Sequence, residues 1–201
     1  MKDRYQLNVF CLTKGQRGLS RDPSEKTAAI RQKEETAACE LLGANLTFMG
    51  LMDGEVFADR EICERVAGLL KKLDPVAVFA QWPINVPDHT AAFTIAMKAC
   101  NLAGIYHTTE FYMFENGVGG QTNQFEPDLY VNISEVVEPK KDLIRCHACQ
   151  FRGDDHIERI LSRNVFRGLL ARCDYAEPFK VTNPLINRRW GRKAGYILLD
   201  L

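Results

Sequence analysis

Short apolar runs alternate along the chain with stretches in which apolar residues recur every three or four positions. This alternation predicts an α/β fold with a mostly parallel sheet. The run at 76–80 is continuously apolar, which is typical of a strand buried on both faces. Strands are predicted over residues 7–12, 46–49, 76–80, 111–114 and 129–133.

Capping signals place the helices between these strands. Asp22 is followed by Pro23 and, three residues after the acid, by Glu25, a pattern that predicts a helix with Asp22 as its N-cap. Gly43 marks the end of that helix. The chain is interpreted as one domain over 1–201, with an irregular tail over 172–201. Helices are predicted over residues 22–43, between 59 and 75, and over 87–104, 139–151 and 155–171.

Composition then narrows the possible partners and compartment. The 201 residues contain 26 basic and 26 acidic side chains, so the net charge is zero. A balanced charge gives no global electrostatic case for binding nucleic acid or an anionic membrane. No apolar stretch approaches the roughly 18 residues of a membrane span. The seven cysteines are an odd number without regular spacing, so we expect free thiols and a cytoplasmic location.

Polar side chains collect in the loops that follow the predicted strands. Ligands of open α/β sheets bind beyond the carboxyl ends of the strands, and these loops carry Arg17, Asp53, Asp88 and His89. His89 falls in the first turn of a helix, where the positive end of the helix dipole favours a neutral, metal-binding imidazole. The alternative is that Asp88 simply caps the helix and His89 faces solvent.

Several motifs follow one another in an order that resembles a known family, the LmbE-like or PIG-L zinc-dependent de-N-acetylases. The similarity spans roughly residues 5 to 151, with later resemblance to a bacterial subgroup at 167–168 and 175–179. The matching segments are 13–18, 31–35, 42–43, 48–54, 87–92, 125–133 and 146–150.

The resemblance implies a three-layer, Rossmann-like fold and a Zn²⁺ ion that activates water against the N-acetyl amide of an amino sugar. His89 matches a histidine ligand of that zinc. Asp88 matches the acid that orients a helper histidine. Arg31 and Asp53 match positions associated with binding the sugar, and His147 matches a late pocket histidine.

Two departures from the family pattern change this expectation. The family signature, His-Pro-x-Asp-Asp, precedes the segment that matches here from Tyr5 and supplies one histidine ligand, the aspartate ligand and the base. The printed sequence has no counterpart, and Val86 stands where the helper histidine is expected. We therefore expect a fragment or a degenerate homologue that lacks the family's first strand and helix, exposes strand edges and is not a competent deacetylase as it stands. Either a partner chain, for example in a homo-oligomer, or a rearranged sheet is then expected.

Other interpretations stay open at this point. Cys146 and Cys149 form a C-x-x-C pair, read either as a redox couple or as ordinary buried thiols on a helix. Arg31 could belong to a solvated helix face. The glycine-rich loop 117–120 could cradle a phosphate, and the basic tail around Trp190 could stack on a ligand. The alternative function is a non-catalytic carbohydrate-binding or assembly protein on the same scaffold.

Overall fold

A computed structural model describes residues 4–19, 23–83, 86–116, 124–150, 153–182 and 197–199. Within these residues, helices and strands alternate over most of the chain, as the sequence predicts. The elements are β1 (Asn8–Thr13), α1 (Glu25–Leu42), β2 (Asn45–Leu51), α2 (Arg60–Leu73), β3 (Ala77–Gln81), α3 (Pro87–Ala103), β4 (Glu110–Phe114), β5 (Leu129–Asn132), α4 (Val137–Arg145), α5 (Asp154–Ala171) and β6 (Ala176–Val181).

The strands form two separate sheets. Strands β1 and β2 pair in parallel, with Phe10 opposite Thr47. The second sheet has the order β3-β4-β6-β5. In it β3 and β4 are parallel, whereas β6 runs antiparallel to both of its neighbours, β4 and β5. Among the described residues β1 and β3 are therefore both edge strands, as expected for a sheet without a central strand.

Helices pack on both faces of the sheet formed by β1 and β2. Phe10 and Leu12 of β1 pack with the core cluster that α2 and α3 build with β2 and β4. Cys11, between them, interacts with Glu35 and Cys39 of α1 on the opposite face, because successive side chains of a strand point to opposite sides. Helix α5 packs against β6 and β5. The α/β fold expected from the sequence is confirmed. The expected mostly parallel sheet is instead mixed, since two of the four described strand pairs are parallel and two are antiparallel.

The helix ends follow their capping residues, with one correction. Helix α1 begins at Glu25, and the Ser24 hydroxyl caps it by accepting from the Thr27 backbone N–H at 3.3 Å. The prediction that Asp22 is the cap was therefore wrong, because the extended residue with an oxygen in reach of that N–H is Ser24. Asp59 caps α2 as predicted, accepting from the backbone N–H of Ile62 at 3.0 Å.

Two strand predictions need correction. The run at 76–80 is not buried on both faces: β3 lies at a sheet edge, and Phe79 remains 41% exposed. The region 172–201, expected to be irregular, contains β6, which lies between β4 and β5. Pro178 and two charged residues interrupt the apolar pattern of β6, so no strand was predicted there. No helix in the described part of the chain has the length and apolarity needed to cross a bilayer.

Candidate functional site

A cavity of about 490 Å³ opens at the carboxyl ends of β1, β2 and β3. The sequence-predicted site residues Arg31, Asp53, Asp88, His89 and His147 all line it. Residues 10–13 of β1 and Gln81 of β3 also line the cavity, so edge strands of both sheets form part of its wall. The predicted convergence at the strand ends is thus present in the structure.

Two carboxylates fix the loops that form the cavity mouth. Asp53 accepts from the backbone N–H of Arg17 at 2.9 Å. Asp88 accepts from the backbone N–H groups of Gly54 at 2.7 Å and Val56 at 3.3 Å. Asp53 therefore connects two loops, and Asp88 connects the first turn of α3 to a loop, in each case across more than thirty positions of the sequence. Asp88 acts here as an acceptor for a neighbouring loop. The alternative that Asp88 caps α3 was wrong, because the N-cap residue is Val86 and no side chain caps this helix end.

The Arg31 side chain extends from α1 into the cavity and passes close to Gly15 and Gly18. Its Nη1 lies 3.4 Å from the carbonyl oxygen of Gly15. A Cβ atom at Gly15 would lie 2.2 Å from Arg31 Nη1, and one at Gly18 would lie 2.3 Å from it. The guanidinium can occupy this position only because both residues lack a side chain, and Gly15 also has a positive φ of 65°. The solvated-face interpretation of Arg31 is therefore wrong.

His89 lies in the first turn of α3, half-buried against the cavity. Burial lowers the pKa of its ring below the usual value, although Asp88 and Asp53 act in the opposite direction. The Nδ1 atom is 3.2 Å from Nδ2 of Asn116, which follows β4 by two residues. The alternative of a solvent-facing His89 is not supported by this environment.

His147 and the C-x-x-C pair lie beyond α4, because that helix ends at Arg145 rather than near 151. The expectation of thiols buried on a helix was wrong: Cys146 and Cys149 are half-buried in the turns that follow it, and both are free. The Cys149 thiol donates to Glu34 at 2.8 Å, and burial followed by that carboxylate raises its pKa to about 11. A thiol held protonated in this way is a poor redox nucleophile.

Glu35 lies in the matching segment 31–35 and lines the cavity, although the sequence analysis gave it no role in the site. Its carboxylate is 3.9 Å from Nε2 of His147 and accepts from the Cys39 thiol at 3.6 Å. Burial, and next the charge of Glu35, raise the pKa of Cys11 to about 12. No local pattern marks Glu35, since acidic residues on a helix usually face solvent.

The zinc site that the resemblance implies requires three ligands placed around one point. Among the described residues no group of three His, Cys, Asp or Glu side chains is placed to hold a metal ion. The donor set is also incomplete, since His89 is the one residue of the described part of the chain that matches a zinc ligand of the family, and the signature that supplies the other two has no counterpart in the sequence. The residues present therefore do not fit a zinc ion. The glycine-rich loop 117–120 and the tail around Trp190 lie outside the described residues.

Comparison with known proteins assigns the chain to a family. Residues 1–100 match the model of PIG-L, the GlcNAc-PI de-N-acetylase family. The chain belongs to this PIG-L, or LmbE-like, family, as the order of its motifs indicates.

Individual relatives carry different names. A 4-oxalmesaconate hydratase of Pseudomonas putida is 29% identical over 188 residues, which cover 84% of this chain and 70% of the relative. The crystal structure of the 4-carboxy-2-hydroxymuconate hydratase of the same organism has a TM-score of 0.77 at 24% identity, covering 90% of this chain and 85% of the other. The N,N'-diacetylchitobiose deacetylase of Pyrococcus horikoshii has a TM-score of 0.73 at 24% identity, covering 88% and 73%. At this identity the structural likeness establishes a shared fold.

Proposed function

We propose that the cavity binds an N-acetylated amino sugar, and that the described residues supply the sugar-binding part of a de-N-acetylase site. The observation that carries this proposal is the convergence of Arg31, Asp53 and His89 on one cavity. Its volume of about 490 Å³ falls within the range of roughly 300–1,000 Å³ that small-molecule sites occupy. Family membership and the chitobiose deacetylase fold support the choice of sugar.

The polar groups of the cavity match the chemistry of such a ligand. Arg31 supplies fixed N–H donors for hydroxyl or acyl oxygens. Asp53 accepts one backbone hydrogen bond, and a carboxylate has further lone pairs for sugar hydroxyls. The apolar side chains of Phe10, Leu12 and Phe48 line the same cavity and offer contact surface for the acetyl methyl and the ring face.

The described residues are proposed to bind the amino sugar without hydrolysing its N-acetyl amide. The described residues do not provide three metal ligands, so the family's zinc-dependent step is not assigned to them. The proposed activity of this part of the chain is therefore recognition of the sugar, with hydrolysis requiring ligands in addition to those described. This corresponds to the carbohydrate-binding alternative that the sequence left open.

A second candidate is the addition of water to the double bond of an unsaturated carboxylic acid. The relative named 4-oxalmesaconate hydratase favours it, as does the basic side of the cavity, formed by Lys14, Arg17 and Arg31. Guanidinium and ammonium groups bind carboxylates through charge-assisted hydrogen bonds. The two candidates therefore differ in ligand charge.

Isothermal titration calorimetry with N-acetylglucosamine and with an unsaturated dicarboxylate separates them. Sugar binding that is lost in Arg31→Ala and Asp53→Ala, but kept in Arg60→Ala, supports the proposal. Arg60 is a matched control because its side chain is 89% exposed and does not line the cavity. Circular dichroism confirms that each variant is folded.

An acetate-release assay with and without added zinc tests the second half of the proposal. We expect binding of the sugar without acetate release. Zinc-dependent release would overturn the separation of binding from hydrolysis. Binding of the dicarboxylate alone would favour the hydratase candidate, and binding of neither ligand would refute both.

A further inference from the structure

Among the described residues, the ring of His89 contacts the side chain of Asn116 through its Nδ1 atom. Nδ1 lies 3.2 Å from the amide nitrogen of Asn116. An amide nitrogen is a donor only, so it can pair with Nδ1 only where that atom is an unprotonated acceptor. A neutral imidazole whose Nδ1 accepts carries its proton on Nε2.

The residue before Asn116 belongs to a buried ion pair. This residue, Glu115, receives two parallel hydrogen bonds from Arg167, Nε to Oε2 and Nη2 to Oε1, both at 3.1 Å. The two side chains are 1% and 4% exposed. A bidentate pair of this kind restricts both position and rotation. The segment after β4 is thereby anchored to α5 through Glu115 and contacts α3 through Asn116.

Arg167 makes further contacts, with Phe125. Arg167 Nη2 is 3.4 Å from the carbonyl oxygen of Phe125, and its guanidinium lies 5.8 Å from the centre of the Phe125 ring. The Arg167 side chain therefore has hydrogen-bonding and aromatic partners that hold it in one geometry.

We propose that Asn116, anchored through the Glu115–Arg167 pair, is a positioning residue that holds His89 in the Nε2–H tautomer, so that His89 meets an acyl or carboxylate oxygen in the cavity as a hydrogen-bond donor. A histidine that ligates zinc must present an unprotonated nitrogen. The donor role therefore replaces the metal-ligand role that the family resemblance implies for His89. The identity of the ligand rests on the proposed function, whereas the state of the ring does not.

Long-range ¹H–¹⁵N NMR of the ligand-free, histidine-labelled protein at about pH 8, above the usual imidazole pKa, measures that state directly. The chain has four histidines, and a His89→Gln variant identifies the signals of His89. We expect an unprotonated Nδ1 and a protonated Nε2. A protonated Nδ1 in the wild-type protein would overturn the proposal, because it would mean that the Asn116 amide presents its oxygen.

The Asn116→Asp variant tests whether Asn116 sets the tautomer. A carboxylate can only accept, so we expect the proton to move to Nδ1, and N-acetylglucosamine to bind about three- to tenfold more weakly, the usual worth of one hydrogen bond. The exposed Asn101→Asp on the same helix as His89 is the matched control and should leave the His89 signals unchanged. If Asn116→Asp leaves Nδ1 unprotonated, the proposal fails.

The outcomes distinguish this proposal from the function it rests on. An Nε2–H ring in a protein that binds no sugar would refute the proposed function and retain the positioning role. Sugar binding with a protonated Nδ1 would do the reverse.

Discussion

Removing the Arg167 guanidinium tests the buried ion pair at the end of β4. In Arg167→Met the apolar stem is kept, and both hydrogen bonds to Glu115 are lost. The Glu115 carboxylate, 1% exposed, then has to stay buried without its main partner. Breaking such a pair from one side typically costs about 3–5 kcal/mol, since the remaining charge is neither solvated nor paired.

The neighbouring residue Arg163 reduces this cost. Burial lowers the pKa of Arg163, and the nearby Glu115 opposes that shift, so the carboxylate keeps one attractive charge in the variant. We therefore expect a loss near the lower end, about 3 kcal/mol. With an m-value of about 2 kcal/mol/M, this corresponds to a fall of about 1.5 M in the urea midpoint.

Urea unfolding followed by circular dichroism measures the change, and two comparisons make it specific. Replacing both partners, as in Glu115→Leu with Arg167→Met, should cost much less than the sum of the single changes, because no buried charge is left. Arg60→Met removes an exposed i,i+4 pair with Glu64 and should leave the midpoint unchanged. A midpoint shift of less than about 0.3 M in Arg167→Met would refute the reasoning, because a buried charge would then have lost its partner at little cost.

Three other changes have effects that the structure specifies. Gly168→Ala places a Cβ 2.6 Å from two backbone carbonyl oxygens and should destabilise the fold by about 1–3 kcal/mol in urea unfolding. In the control Gly68→Ala the added Cβ meets nothing within 4 Å, so this variant should be more stable by about 0.5–1 kcal/mol. A Gly168→Ala protein as stable as wild type would contradict the close approach. Asp88→Ala should speed hydrogen exchange at the Gly54 amide about tenfold, because that N–H loses a charged acceptor at 2.7 Å, and unchanged exchange would mean that the acceptor does not protect it. Cys11, with its pKa raised to about 12, stays protonated until the pH approaches that value. At about pH 8, iodoacetamide should therefore label Cys11 at least tenfold more slowly in the folded than in the unfolded protein, as measured by mass spectrometry. Equal labelling rates would contradict the raised pKa.

Local signals in the sequence predicted the elements whose ends depend on nearby residues. Gly43 and Gly104 end their helices in the left-handed conformation, with φ of 71° and 78°. Asp59 caps α2 through its own side chain. Each of these features needs only the residue itself and the next three or four positions, so a single sequence is sufficient to find them.

Features that depend on distant residues were not predicted. Strand β6 is stabilised by pairing with β4 and β5, and Pro178 within it lies opposite Tyr130. The exposure of Phe79 follows from the position of β3 at an edge, which its apolar composition does not reveal. The Asn116–His89 contact joins residues 27 positions apart, and an asparagine in a loop carries no signal of such a partner.

In the candidate site, the type of a residue was predicted from the sequence but its role was not. The sequence identified the acids at the strand ends, but their type alone does not distinguish a group that meets the ligand from one that builds the wall. Asp88 is placed beside His89, yet both of its oxygens accept from the loop that contains Gly54 and Val56. Since a carboxylate so engaged has less freedom to reorient, we expect Asp88 to act on the ligand through the shape of the cavity. Within the described residues, the side chain hydrogen-bonded to the His89 ring is that of Asn116, at Nδ1, and we expect Nε2 to meet the ligand.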